Sequence, residues 1–317
     1  MKTNDMELFV TLWPSFPHFA RFAYDERIEG IRLNSAMLAV SDLDSELERV
    51  RSLGDMPVKL YYDVKGRQLR VTKVNPSNRN LELRLNHPIS VNTPTPVLFK
   101  AGEDSALLVD IKNGGYELVF ADGSKYGPRC NVNEGESLHI RSPDLVVGGD
   151  LFTDLELEKI EKVRKAGFTR YFLSYVESGE DINKLRDLVG KDAEIIAKIE
   201  NKKGLEFIAN SYSPDPNTSA LAARGDLYVE LERPHEIARA LKEIIKKEPK
   251  AMVGSRFLLS LFKNNVPSCA DIGDLAHVYE IGYKKVLLCD ELCLKEVPLA
   301  KAINVFDEFR KDYCTIN

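Results

Sequence analysis

Short apolar runs return at intervals along this chain, and the stretches between most of them are longer and amphipathic. The runs are residues 7–12, 30–33, 58–62, 170–174, 194–199, 220–223, 251–254 and 285–289, eight in all. Their length and apolar character suit strands buried on both faces. Residues 42–54, 180–190 and 233–247 carry helical periodicity between them. Strand alternating with helix implies a parallel sheet, and eight such units predict an α/β fold, a closed (β/α)8 TIM barrel.

One interval breaks the rhythm. Between about 71 and 142 the segments LELRL, PVLFK, ALLVDI, YELVF and SLHI are separated by NHP, NTPTP, AGED, NGG and ADGS. Short β runs between turn residues predict a small antiparallel β domain inserted after strand three. The expected division is a barrel from residues 1–70 and 143–317, with 71–142 as the insert. Residues 146–167 then read as the return to the barrel, with a helix N-cap at Thr153 or Asp154.

Composition limits the partners. The 317 residues include 44% hydrophobic and 29% charged side chains, with a net charge of −5. Such an acidic balance argues against nucleic acid as the main partner. No apolar run is long enough to span a bilayer, and the N-terminal MKTNDMELFV has no signal-peptide core. A cytoplasmic protein with no membrane partner is therefore expected. Cysteines 130, 269, 289, 293 and 314 form no disulfide framework and are read as buried thiols. Histidines 18, 87, 139, 235 and 277 form no spaced cluster and are read as surface or capping residues. Trp13 is read as packing at the barrel rim.

The fifth run, IIAKIE, carries Lys198 and Glu200 on one face of a buried strand, with Ile195 and Ala197 on the other. In a β/α barrel the site lies at the C-terminal ends of the strands. Polar residues cluster there: Arg32 and Asn34, Asp63 and Lys65, Lys198 and Glu200, Arg224 to Asp226, Ser255, and Asp290 with Glu291. A buried carboxylate needs a partner charge or a metal. Glu200 and Asp226, on adjacent strands, could supply two oxygen ligands to Mg2+, with Lys198 free for an anionic substrate or an enolate.

AKIENKKGLEFI followed by LAARGDLYVEL resembles the pyruvate kinase barrel, whose AKIEN and ARGDLG segments carry the metal-binding carboxylates. Other segments agree in order: VTLWPS with the TxGPS turn, IRLNSA with RxNFSH, YYDVKGRQLR with LDTKGPEIR, and VLLCDE with VMLSGE. FLSYVESGEDINKLR is similar to the SFVRSAEDV stretch, and PSCADIGDLAHVYEIG to PTRAEVSDVANAVLDG. The likeness covers nearly the whole chain, and the insert falls where the family carries its lid.

The resemblance implies roles by position. Glu200 and Asp226 would bind Mg2+ or Mn2+. Lys198 would stabilise the transferring phosphoryl group and the enolate, with Arg32 on phosphate. The amides of Gly225 and Asp226 would hold the substrate carboxylate, and Ser255 stands near the proton-transfer position. Asn34 and Asp63 would belong to a K+ site, and Arg70 and Pro14 to the nucleotide site. The implied reaction transfers phosphate from phosphoenolpyruvate to ADP, giving pyruvate and ATP. A metal-dependent lyase or aldolase acting on pyruvate-like 2-oxo acids, or a non-catalytic homologue, is the alternative. A homo-oligomer is left open. The sequence also departs from the family. Ala36 and Met37 replace the RxNFSH serine and histidine. Val64 replaces the DTKG threonine, Trp13 the TxGPS glycine, and Cys269 the PTRAE arginine. Tyr228 replaces the final glycine of ARGDLG, Arg256 a glutamine, and Asp290 the SGE glycine. The sequence ends where the family's C-terminal domain would begin, so that domain is expected to be absent.

Overall fold

The structure is a computed structural model that describes residues 6–37, 40–76, 81–121 and 132–316. Eight parallel strands close into a barrel, each paired with its sequence neighbours and the last with the first. They are β1 (Glu7–Thr11), β2 (Gly30–Asn34), β3 (Lys59–Val64), β4 (Arg170–Leu173), β5 (Glu194–Ile199), β6 (Thr218–Ala223), β7 (Met252–Gly254) and β8 (Lys285–Leu287). Every run singled out in the sequence is one of these strands. Helices follow at Val40–Ser52, Asp154–Lys165, Gly179–Val189, Lys202–Asn210, Glu236–Lys247, Cys269–Glu280 and Glu296–Ile316, among others. No helix of the described residues is long and apolar enough to cross a membrane.

Alternation along the strands creates two cores. Outward residues such as Val10, Ile31, Tyr62, Ile195, Ala197 and Val253 pack against the helices. Inward residues Phe9, Tyr61, Phe172, Ile196, Leu221 and Leu287 pack together as the barrel floor. Strand β2 contributes Gly30 at this level, where a Cβ would lie 2.8 Å from the Phe9 ring. The floor is thus filled to the point where one strand must give up its side chain. Two residues beyond a floor residue, the same face of each strand reaches the mouth. Phe9 leads to Thr11, Gly30 to Arg32, Tyr61 to Asp63, Phe172 to Ser174, and Ile196 to Lys198.

Short, capped connections hold this mouth. Asn201 follows Glu200 directly and caps the next helix, accepting from the Gly204 N–H at 2.8 Å and donating to Glu177 at 2.7 Å. Ser178 and Asp181 form a capping box after β4, and Ser268 and Asp271 form one at Cys269–Glu280. Thr153 caps Asp154–Lys165 by accepting from the Glu156 N–H.

After β3 the chain leaves the barrel. Strands Val71–Pro76, Leu81–Leu85, Thr95–Phe99, Asp104–Lys112, Glu117–Phe120 and Leu138–His139 form a six-stranded antiparallel sheet. It has its own core, including Val71, Leu83, Val97, Phe99, Leu108 and Phe120. Val146–Val147 pairs with Ile89–Ser90, so the insert's pairing continues a few residues beyond the expected return, and the barrel resumes with the helix at Asp154.

The histidine reading needs correction. His18, His87 and His139 are buried, the first two bonded to the Cys293 and Gly66 carbonyls at 3.0 Å. Position in the fold, not spacing in sequence, decides their environment. Cys293 and Cys314 are buried thiols as expected, whereas Cys269 is exposed; Cys130 lies outside the described residues. Trp13 is packed in the core at 2% exposure.

Candidate active site

Asp63 lies at the centre of the mouth and is completely buried. One of its oxygens accepts from Arg32 Nε at 2.8 Å and from Lys65 Nζ at 2.8 Å, with Arg32 Nη2 at 2.7 Å and Lys198 Nζ at 3.5 Å. The other oxygen accepts from Ser174 Oγ at 3.2 Å. Burial alone would raise its pKa, but Lys198, Lys65 and Arg32 hold the carboxyl far below the usual carboxylate range. The same crowding acts on the cations. Burial pulls Lys65 down to about 7 against the attraction of Asp63. Lys198 is also desolvated, yet Asp63 and Glu200 together hold its ammonium above the usual lysine value.

Lys198 Nζ donates to Ser174 Oγ at 2.8 Å and lies 3.0 Å from Glu200 Oε1. The face shared by Lys198 and Glu200 therefore looks into the mouth. Glu200 Oε2 accepts from the Tyr175 N–H at 2.7 Å. Tyr175 supplies it from a left-handed backbone, φ 52°, a strain expected where function demands an orientation. Glu200 Oε1 meets Lys198 as an ion pair without hydrogen-bond alignment and has no hydrogen-bond donor among the described residues. Burial pushes the Glu200 carboxyl up to about 7; Lys198 opposes this, and the neighbouring Asp226 carboxylate reinforces it. Asp226 is the partner held low: burial opposes, but His139 and a hydrogen bond with Glu200 outweigh it. Two adjoining carboxylates, one lacking a donor, are what a small divalent cation would satisfy. No cluster of three or more His, Cys, Asp or Glu ligands exists among the described residues, so any cation here would rely on ligand oxygens and water for the rest.

Asp226 opens the helix Arg224–Glu230. A Cβ on Gly225 would come 3.3 Å from Ser255 Oγ, so the backbone after β6 and the end of β7 form one wall. Arg224 clamps that wall. It binds Asp274 at 2.7 and 2.9 Å, donates to the Ser255 carbonyl at 2.7 Å, and lies 3.8 Å from the centre of the Phe257 ring. Ser255 and Arg256 both have left-handed backbones, and the Arg256 guanidinium lies 4.9 Å from the centre of the Tyr228 ring. Two departures from the family pattern thus touch one another.

The insert and the segment that leads into it reach the mouth. Gln68 Nε2 approaches Asp226 at 3.4 Å, and Gln68 Oε1 accepts from Arg70 at 2.6 and 3.1 Å. Arg70 is therefore tied to the base of the insert. His139 bonds Glu230 at 2.7 Å through Nδ1 and places Nε2 3.7 Å from Asp226. The Tyr175 hydroxyl lies 3.2 Å from the same Nδ1. A cavity of about 570 Å3 opens between the insert and the barrel helices, sharing Tyr175 and Glu230 with this corner.

On the opposite side Asn34 donates to Asp290 at 3.1 Å, and Arg32 Nη1 lies 3.5 Å from Asp290. Pro14 is buried in the turn after β1, where the Ser15 N–H donates to Glu46 at 2.8 Å. No hydrogen bond or ion pair among the described residues joins that turn to Asp63 or Lys198. Of the residues selected from sequence, Arg32, Asn34, Asp63, Lys198, Glu200, Gly225, Asp226 and Ser255 converge. Arg70 reaches the group through Gln68, and Pro14 stands apart. Sequence reasoning missed Ser174, Tyr175, Gln68, Glu230 and His139. Ser174 was within reach, because it continues the inward face of β4 beyond Phe172.

Comparison with known proteins bears on the family and the fold. A family model described as the pyruvate kinase barrel domain matches residues 135–300, just over half of the chain. The pyruvate kinase of Thermoplasma acidophilum is 26% identical over 315 residues, covering 94% of this chain and 56% of that protein. That of Methanocaldococcus jannaschii is 24% identical over 322 residues, covering 96% and 68%. That of Thermotoga maritima is 28% identical over 233 residues, covering 71% and 47%. The chain thus spans about half to two thirds of the length of these relatives. With the barrel, the insert and the family match in agreement, this chain belongs to the pyruvate kinase family.

Proposed function

We propose that the chain is a Mg2+-dependent phosphotransferase of the pyruvate kinase type, exchanging a phosphoryl group between phosphoenolpyruvate and ADP. The observation that carries this reading is Lys198 beside the Glu200–Asp226 pair, with one Glu200 oxygen lacking a donor. Glu200 and Asp226 would hold the divalent cation (Mg2+ or Mn2+), which supplies charge neutralisation and polarises the substrate oxygens. Lys198 places a fixed positive charge where negative charge grows as the phosphoryl group leaves the enol oxygen. Asp63 and Ser174 hold that ammonium in position, so no reorganisation is needed during the reaction. The backbone around Gly225, packed against Ser255, offers a narrow wall for the substrate carboxylate, and Ser255 stands beside it for proton delivery. A K+ ion near Asn34 and Asp63 would have to compete with the ammonium of Lys65. Residues 71–142 would act as a lid closing through His139.

The contact of Asp290 with Arg32 favours a second reading, in which the same metal and lysine stabilise the enolate of an unphosphorylated 2-oxo acid in a lyase or aldolase reaction. Both readings require the metal pair. Oxalate, a planar enolate mimic, should bind in the presence of Mg2+ and lose affinity in Glu200→Ala and Asp226→Ala. Binding that survives in both variants would contradict the metal assignment. ADP then separates the two readings, since only the first needs it.

A further inference from the structure

Arg32 faces two acids of different character. Its Nε and Nη2 are fixed on Asp63, which has no exposure. Its remaining nitrogen, Nη1, looks outward, shared between Thr11 Oγ1 at 3.3 Å and Asp290 at 3.5 Å. The Asp290 side chain is 32% exposed and also accepts from Asn34 Nδ2 at 3.1 Å. It lies at the start of the four-residue helix Asp290–Cys293, at the solvent edge of the mouth. The outward edge of a buried guanidinium and a neighbouring amide donor are together a place for a small oxyanion. Here a carboxylate from the protein itself takes that place. The 3.5 Å separation is longer than a charge-assisted hydrogen bond, so the carboxylate is seated on the cation without being locked to it.

We propose that Asp290 is a built-in competitor for oxyanions at Arg32 and Asn34, and that it sets how strongly the site takes phosphate-bearing ligands. A ligand phosphate must displace the carboxylate or bind beside a like charge, and either weakens its binding. A planar acid bound nearer Lys198 and the Glu200–Asp226 pair feels Asp290 less. Asp290 is therefore a specificity residue: it shifts the balance from phosphorylated toward unphosphorylated acids. The inference rests on the proposed function only in taking the mouth as the ligand site.

The test is calorimetric titration of inorganic phosphate, with Mg2+ present, into the wild type, Asp290→Asn and Asp290→Gly, alongside oxalate. Asp290→Asn keeps the shape and an acceptor for Asn34, so it reads the charge even if Asp290→Gly perturbs folding. Removing one negative charge a few Å from the bound anion should tighten phosphate about tenfold, and by more than it tightens oxalate. Phosphate affinity unchanged or weakened in Asp290→Asn would overturn the proposal, as would the absence of phosphate binding in all three proteins. Failure of the wild type to turn over phosphoenolpyruvate would contradict the proposed reaction and leave this titration readable.

Discussion

Lys198 is held between Asp63 and Glu200 with Ser174 as its hydrogen-bond acceptor, so its charge is fixed before any substrate arrives. Lys198→Met should lower turnover by about a hundredfold or more, the usual scale for losing one preorganised charge. Mg2+ titration should show that the metal still binds, because Glu200 and Asp226 remain. A second residue-scale expectation concerns Gly66, at the exit of β3. Its φ is +50°, and a Cβ there would stand 2.6 Å from the Ser174 carbonyl oxygen. Gly66→Ala should cost about 1–3 kcal/mol, read from the urea midpoint. An unchanged midpoint would mean that the turn relaxes freely. Lys198 and Glu200 were legible in the sequence because charges two apart on an apolar strand must share a face. The hub at Asp63 was only half legible. Lys65 lies two residues from Asp63 and Arg32 comes from the paired strand β2, but Lys198 comes from β5, which does not pair with β3, and only the barrel's curvature brings it to the hub. The contact of Asn34 with Asp290 spans 256 residues, beyond any local pattern.

Strands and caps were the most readable elements. Each strand is an apolar run bounded by turn residues, and Thr153 caps its helix as its residue type predicts. The insert's strands were readable from turn chemistry, but where the insert docks was not. His139 reaches Asp226 through a fold-level arrangement that no spacing encodes, so the sequence pattern alone reads it as a surface or capping residue. Among the caps, Asp271 offers a clean test. It accepts from Ser260 Oγ and from the N–H and hydroxyl of Ser268, the latter at 3.0 and 2.7 Å. Burial would raise its pKa, but these bonds hold it below the ordinary 3.8. Its folded value is the depressed one, so its stabilisation is present above about 3.8 and is lost as pH falls through the folded value. Asp271→Asn should cost about 1 kcal/mol at neutral pH, and the difference from wild type should shrink in acid. Denaturation at pH 7 and pH 3 checks both; a difference that grows in acid would contradict the cap.

At the scale of the molecule, the insert meets the barrel over the mouth through His139–Glu230 and Arg141 with the Val229 carbonyl, and Gln68–Asp226 ties down the segment that leads into it. In the proposed lid, these contacts would couple closure to the site. Limited proteolysis near residues 70 and 142 should slow when Mg2+ and oxalate are present, and should quicken in His139→Ala. Cleavage indifferent to both would argue against a lid. The central claim is that the retained metal and lysine positions still perform the family's chemistry in a chain spanning about half to two thirds of its relatives' length. Pyruvate release from phosphoenolpyruvate with Mg2+ and K+, with and without ADP, tests it most directly. The account predicts ADP-dependent pyruvate formation that disappears in Lys198→Ala. Release that ignores ADP, persists without Lys198, or never occurs would contradict it.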